Sequence, residues 1–111
     1  MKQQMALLAY AFIRHFKSMF RNHRKESVKA FIAHIMRLNK TQKSEEVAEW
    51  IADAEELVEY NEWGVALENL LVNLYEISFP FDEEACQSAK IALCKIGVDY
   101  SSWRFIEEMV R

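Results

Sequence analysis

The 111-residue sequence has few of the residues that make tight turns, with only two glycines and one proline. An average composition would give about eight glycines and about five prolines in a chain of this length. Because sheet proteins need a turn every few residues, this shortage excludes a β-rich fold and predicts an all-α protein. Apolar residues make up 51% of the chain, which excludes a disordered protein, since low hydrophobicity is the signature of disorder.

Cysteines and long apolar runs are also scarce. Cys86 and Cys94 are the two cysteines; on one helix their Cα atoms would lie about 12 Å apart, beyond the roughly 7 Å that a disulfide allows. We expect both to be reduced and buried, which favours a cytoplasmic location. The longest apolar run, residues 5–13, is about half of the ~20 residues that cross a membrane, so no membrane partner is expected.

Charge is divided unevenly along the chain. Residues 1–44 hold ten of the fourteen Lys and Arg and a single acid, whereas residues 45–111 hold sixteen acids and four bases. The densest acidic stretch, residues 45–62, has eight carboxylates and no base. Two interpretations are open: the two halves pack together and partly neutralise each other, or a charged surface faces a partner of opposite sign.

Apolar residues recur at steps of three and four along the sequence, which predicts about six short helices in a single-domain bundle. The predicted helical segments are 3–21, 25–39, 45–60, 62–77, 83–96 and a short last helix. Ser44 and Asp82 are expected to cap the third and fifth segments, and Gly97 to end the fifth. Ser101 or Ser102 is expected to cap the last helix.

Three further local features can be predicted. Residues 39–41 are expected to end the second helix, because Asn39 tolerates the left-handed conformation that closes helices. Gly64 is expected to let another backbone approach the fourth segment closely. Residue 77 is expected to face inward, and weak alternation of polarity over residues 74–81 indicates a brief extended stretch.

The sequence offers no recognisable catalytic constellation. Motifs for phosphate loops, dinucleotide binding, zinc proteases and Cys-x-x-Cys redox sites are lacking. His15, His23 and His34 have no nearby carboxylate or thiolate with which to hold zinc. Cys86 follows a run of acids that would disfavour its thiolate, so we interpret it as a small core residue. We therefore expect no catalytic residue, no metal and no cofactor.

Nucleic-acid binding is the alternative function, with this chain as a helical regulator. The basic residues that could cover phosphates are Arg14, Lys17, Arg21, Arg24, Lys25, Lys29, Arg37, Lys40 and Lys43. The acidic remainder and a pI near 5.6 argue against it, because they would repel a polyanion. Direct nucleic-acid binding is therefore not expected.

Residues 62–70, Glu-Trp-Gly-Val-Ala-Leu-Glu-Asn-Leu, and the Leu-Tyr-Glu at 74–76 resemble a known pattern. They are similar to the MafI-like immunity proteins of bacterial toxin–immunity systems, of the contact-dependent growth inhibition type. Residues 96–99 and Trp103 resemble the closing segment of that family. The resemblance divides the single domain 1–111 into an immunity-like helical core, 44–106, and a basic N-terminal part, 1–43, that has no counterpart in the family.

The resemblance implies a non-catalytic inhibitor that binds the C-terminal domain of a cognate toxin as a monomer in a 1:1 complex. Nucleases present cationic active sites, so an acidic surface would imitate the charge of their substrate and block entry. The predicted partner-binding residues are Glu49, Asp53, Glu56 and Glu59, with Glu62 at the edge and Trp63 as an anchor. Two plainer interpretations stay open: Trp63 packs in the core, and the carboxylates form an ordinary solvated surface.

Overall fold

A computed structural model describes residues 23–111 of the chain. That part contains five helices: α1, helical over residues 23–42, α2 (Glu45–Glu59), α3 (Trp63–Glu76), α4 (Glu83–Ile96) and a 3₁₀ helix (Tyr100–Met109). The all-α class is confirmed for these residues, none of which forms a strand. The helix count is five here instead of about six, and the predicted segment 3–21 lies outside the described residues.

One hydrophobic core joins the five helices. Apolar residues at the expected steps of three and four are buried along both α1 and α2. They are Val28, Phe31, Ile32 and Ile35 on α1, and Val47, Ile51, Ala54 and Val58 on α2. The most apolar helix, α3, buries Ala66, Leu67, Leu70, Leu71 and Leu74. The prediction for Ile77 was wrong, because α3 ends before it and its side chain is 42% exposed.

The predicted caps of α2 and α4 are confirmed. The Ser44 hydroxyl accepts a hydrogen bond from the Val47 N–H at 3.2 Å, and the Asp82 carboxylate accepts one from the Ala85 N–H at 2.8 Å. Gly97 ends α4 with a φ of 83°, a left-handed conformation that glycine adopts without steric strain. Residues within or next to α4 therefore set both of its ends, Asp82 through its side chain and Gly97 through its backbone conformation.

The helix α1 ends later than predicted, at residue 42. Lys43, and not Asn39, takes the left-handed conformation, with a φ of 54°. The Asn39 side chain instead makes two hydrogen bonds to the Ser44 backbone, each 3.0 Å long: it accepts from the N–H and donates to the carbonyl. Asn39 thus fixes the α1–α2 turn through its amide, one turn before the chain reverses.

The predicted short last helix is a 3₁₀ helix, and its cap differs from expectation. Asp99 caps the 3₁₀ helix by accepting a hydrogen bond from the Ser101 N–H at 3.1 Å, so neither Ser101 nor Ser102 is the cap. The only extended pairing among residues 23–111 is the isolated bridge between Phe81 and Val110.

Gly64 does not admit a close backbone approach. A Cβ atom at this position would meet Ile96 Cδ1 at 3.9 Å, which is an ordinary van der Waals contact with a side chain. The packing of α4 beside the start of α3 therefore leaves room for a Cβ atom at residue 64. The predicted reason for glycine at this position was therefore wrong.

Two consecutive residues, Phe81 and Asp82, connect distant parts of the fold. The Phe81 ring packs edge-on against Phe31 of α1, with ring centroids 5.8 Å apart, and its N–H donates to the Met109 carbonyl at 2.8 Å. The Asp82 carboxylate accepts a hydrogen bond from the Arg37 guanidinium at 2.9 Å. This junction holds α1, α4 and the C-terminal end of the chain together.

We expect Phe81→Ala to lower the free energy of unfolding by about 3–5 kcal/mol, because it leaves a cavity against Phe31 in the core. The matched control is Tyr60→Ala, which removes an aromatic side chain that is 73% exposed. It should change stability by no more than about 0.5 kcal/mol. Urea unfolding followed by circular dichroism measures both, and equal effects of the two variants would contradict the role of the junction.

Stability should also depend on Asp82 at acid pH. The Ala85 N–H has the largest effect and lowers the pKa of this carboxyl below its usual 3.8. Burial comes second and raises the pKa, and the Arg37 guanidinium lowers it further. The ionised Asp82 carboxylate therefore contributes its full stabilisation of the fold above the usual pKa of 3.8. This contribution is lost as the pH falls from there through the lowered pKa of the folded state.

Unfolding free energies measured between about pH 5 and pH 2.5 should fall less steeply for Asp82→Asn than for the parent chain. Arg37→Gln should retain part of the dependence of the unfolding free energy on pH, because the hydrogen bond from the Ala85 N–H to Asp82 remains. Identical slopes for the parent and Asp82→Asn would contradict this assignment.

Candidate functional site: the acidic surface of α2

The buried stripe of α2 fixes which of its side chains face outward. Val47, Ile51, Ala54 and Val58 lie at steps of three and four and point into the core. The opposite side of the helix presents the four predicted partner-binding carboxylates, all of them exposed, which we call the acidic surface: Glu49, Asp53, Glu56 and Glu59. The structure therefore places these four on the solvent side of one helix.

The acidic surface extends toward both neighbouring helices. Glu56 and Glu59 line a groove between α1 and α2, together with Glu55. Asp53 lines a smaller depression against α3, beside Asn69. The four carboxylates thus spread over the outer surface of α2 and do not converge on one point, an arrangement that suits contact with a broad partner surface.

Glu62 and Trp63 lie at the start of α3. Glu62 is exposed and makes no side-chain capping hydrogen bond, so its carboxylate extends the acidic surface across the α2–α3 turn. Trp63 is half-buried against the core, and its indole nitrogen is buried without a hydrogen-bond partner among the described residues. Trp63 therefore packs against the core at the start of α3 and stays partly exposed.

Tyr60 is the aromatic residue at this site that sequence reasoning missed. It is the C-terminal cap residue of α2 and is 73% exposed, the most exposed of the large apolar side chains in residues 23–111. The left-handed Asn61, with a φ of 61°, turns the chain directly after it. The sequence does contain a signal for Tyr60, because it is an aromatic residue with acids on both sides in a short polar turn. Residues 60–62 were interpreted only as a connection between two helices.

The basic and acidic halves of the chain meet at Arg37. This side chain pairs with Asp82 at 2.9 Å and with Glu84 at 3.6 Å. The other ion pair within residues 23–111 joins Lys90 and Glu107 at 2.8 Å. No carboxylate of α2 has an ion-pair partner in this part of the chain, so the packing of the described halves leaves the acidic surface uncompensated.

The basic residues proposed for phosphate binding are only partly described. Arg37 is engaged by two carboxylates, and Lys29 lies on the α1 wall of the groove that Glu55 and Glu59 also line. Arg14, Lys17 and Arg21 lie outside the described residues. Arg24, Lys40 and Lys43 are exposed and have no ion-pair partner within residues 23–111.

The cysteines and histidines form no reactive cluster in the described part of the chain. Cys86 is buried in α4, and burial raises the pKa of its thiol, which disfavours the nucleophilic thiolate. Cys94 is free but exposed, so the expectation that both cysteines are buried was wrong for this one. No group of three or more metal-ligating side chains occurs among residues 23–111, and His15 lies outside them.

Comparisons of the sequence and structure with protein-family models, with curated proteins and with solved structures give no match. The resemblance to MafI-like immunity proteins therefore stays a prediction carried by residues 62–76 and 96–103. No helix within residues 23–111 has the length and apolar character required to cross a membrane.

The different exposure of the two cysteines can be tested directly. One thiol per folded chain, that of Cys94, should react rapidly with Ellman's reagent at neutral pH, and the second only after unfolding in denaturant. Cys94→Ser should remove the fast phase, and Cys86→Ser should leave it intact. Two fast thiols in the folded parent chain would contradict the burial of Cys86.

Proposed function

We propose that this chain is an immunity protein that binds and neutralises a cationic bacterial toxin domain, namely a nuclease. The observation that carries the proposal is the acidic surface of α2, whose carboxylates are exposed and have no ion-pair partner within residues 23–111. The resemblance of residues 62–76 to MafI-like proteins supports the same function. Inhibition of this kind requires binding alone.

Electrostatic attraction would act first in this mechanism. A nuclease must hold a polyanion, so its active site carries a positive potential. Exposed carboxylates along α2 would attract that site and orient the two proteins before contact, which raises the association rate. Once bound, α2 would occupy the space that the phosphate backbone of the substrate needs.

Tyr60 would supply the short-range part of the affinity. Interfaces obtain most of their binding energy from a few buried anchors, among which tyrosine is enriched. Tyr60 stands at the end of the acidic surface, between Glu59 and the α2–α3 turn, with 73% of its surface available to a partner. Its ring can therefore become buried on binding without any rearrangement of α2.

The test mixes this chain with the toxin domain encoded by the neighbouring open reading frame. The parent chain should form a 1:1 complex and suppress cleavage of fluorescent RNA or DNA oligonucleotides. Reversing Glu49, Asp53, Glu56 and Glu59 to lysine should slow association by at least about tenfold at low salt, because the steering charge changes sign. Stopped-flow fluorescence measures that rate.

The matched control reverses four exposed carboxylates outside α2: Glu26, Glu76, Glu83 and Glu108. It changes the net charge equally and should slow association much less. Tyr60→Ala should raise the dissociation rate, again by about tenfold, which corresponds to about 1.4 kcal/mol. No complex at low salt together with undiminished toxin activity would contradict the proposal, and equal effects of the two reversals would move the interface away from α2.

A further inference from the structure

A groove with a volume of about 540 Å³ runs between α1 and α2. Its floor is formed by Ile32 and Val58, which belong to the core. Its apolar walls are Ala33 and Met36 on α1 and Ala52 on α2, and Met36 is 43% exposed. These side chains present apolar atoms to solvent along the side of α2 that faces α1.

The rim of this groove has a strongly unequal charge. Glu55, Glu56 and Glu59 line it on the α2 side, and Lys29 is the single basic residue that lines it. None of these four side chains has an ion-pair partner among residues 23–111. An occupant must therefore combine apolar side chains for the floor with positive charges for the α2 rim.

We infer that the groove receives a basic amphipathic helix of the partner protein. This inference rests on the proposed function, since it assigns that helix to the cationic toxin domain. Helical segments commonly bind in grooves between two helices, with apolar side chains at i, i+3 or i+4 and i+7 as anchors. Lysines or arginines beside those anchors would face Glu55, Glu56 and Glu59.

The dimensions of the groove set the length of the bound segment. Its α1 wall runs from Lys29 to Met36, eight residues whose seven steps span about 10 Å at 1.5 Å rise per residue. That distance is about two helical turns, enough for two or three anchors. Lys29 lies at one end of this wall, where it would favour an acidic residue of the bound helix and thereby fix its direction.

The proposal can be tested without the toxin by using a synthetic probe. The probe is a fluorescein-labelled helical peptide of about 14 residues, with leucines along one face and lysines on both flanks. Titration followed by fluorescence anisotropy at about 0.15 M salt should give saturable 1:1 binding, since this salt screens non-specific attraction between exposed charges. The same peptide with every lysine replaced by glutamate should bind at least about tenfold more weakly.

Variants of the protein locate the binding site. Ala52→Trp fills the groove from an exposed helical position and should weaken peptide binding by at least about tenfold. Gln87→Trp adds the same side chain to an exposed position of α4 that does not line the groove, and should have no effect. Circular dichroism and thermal unfolding establish that both variants are folded.

A second pair of variants tests the charged rim. Glu55→Gln with Glu59→Gln should weaken binding by about fivefold, the effect expected of two exposed ion pairs. Glu45→Gln with Glu46→Gln removes the same charge from the first turn of α2, outside both the groove and the acidic surface, and should change the affinity less than about twofold. Equal effects of the two pairs would show attraction by net charge alone and would overturn the inference.

Two other outcomes would also overturn it: peptide binding that Ala52→Trp leaves unchanged, or no binding up to about 1 mM peptide. Concentration-dependent dimerisation that Ala52→Trp abolishes would assign the groove to a second copy of this chain instead. The proposed function is tested separately. If the peptide does not bind, formation of the toxin complex can still be measured, and if no toxin complex forms, binding of the peptide can still be measured.

Discussion

The rotation of α2 about its own axis determines both the acidic surface and the groove. Val47, Ile51, Ala54 and Val58 are buried, so the helix cannot turn without exposing apolar area and losing its packing against α3. This constraint places Glu49 outward and sets Ala52 and Glu55 toward α1. The surface chemistry of the molecule is therefore a direct consequence of how its second helix fills the core.

Much of this fold was predictable because its signals are local. Stripes of apolar residues and the caps at Ser44, Asp82 and Gly97 act within one helix or one turn, and the structure confirms them. Features that depend on distant residues were not predictable. Cys94 faces solvent because it lies outside the buried side of α4, which packs against other helices. The Asp99 cap was missed for a different reason: its hydrogen bond to the Ser101 N–H is local, but two serines nearby offered competing caps.

For the candidate site, the outward side shared by the carboxylates could be predicted from the sequence, but the groove beside them could not. The spacing of acids along α2 gives their common outward side, but the groove depends on how far α1 stands from α2, which no local pattern encodes. Tyr60 was missed for a related reason: the exposure of an aromatic residue in a turn depends on where the next helix starts. Whether Trp63 packs inward likewise depends on core residues that the local pattern does not identify.

The shortage of glycine has a consequence for the three turns that follow α1, α2 and α3. Lys43, Asn61 and Ser78 adopt left-handed backbone conformations, with φ values of 54°, 61° and 54°. Residues other than glycine pay roughly 1–2 kcal/mol for that conformation, with asparagine the best tolerated. Replacing Lys43 or Ser78 with glycine would remove this cost and raise the thermostability of the chain. The native sequence is therefore less stable than its own fold allows.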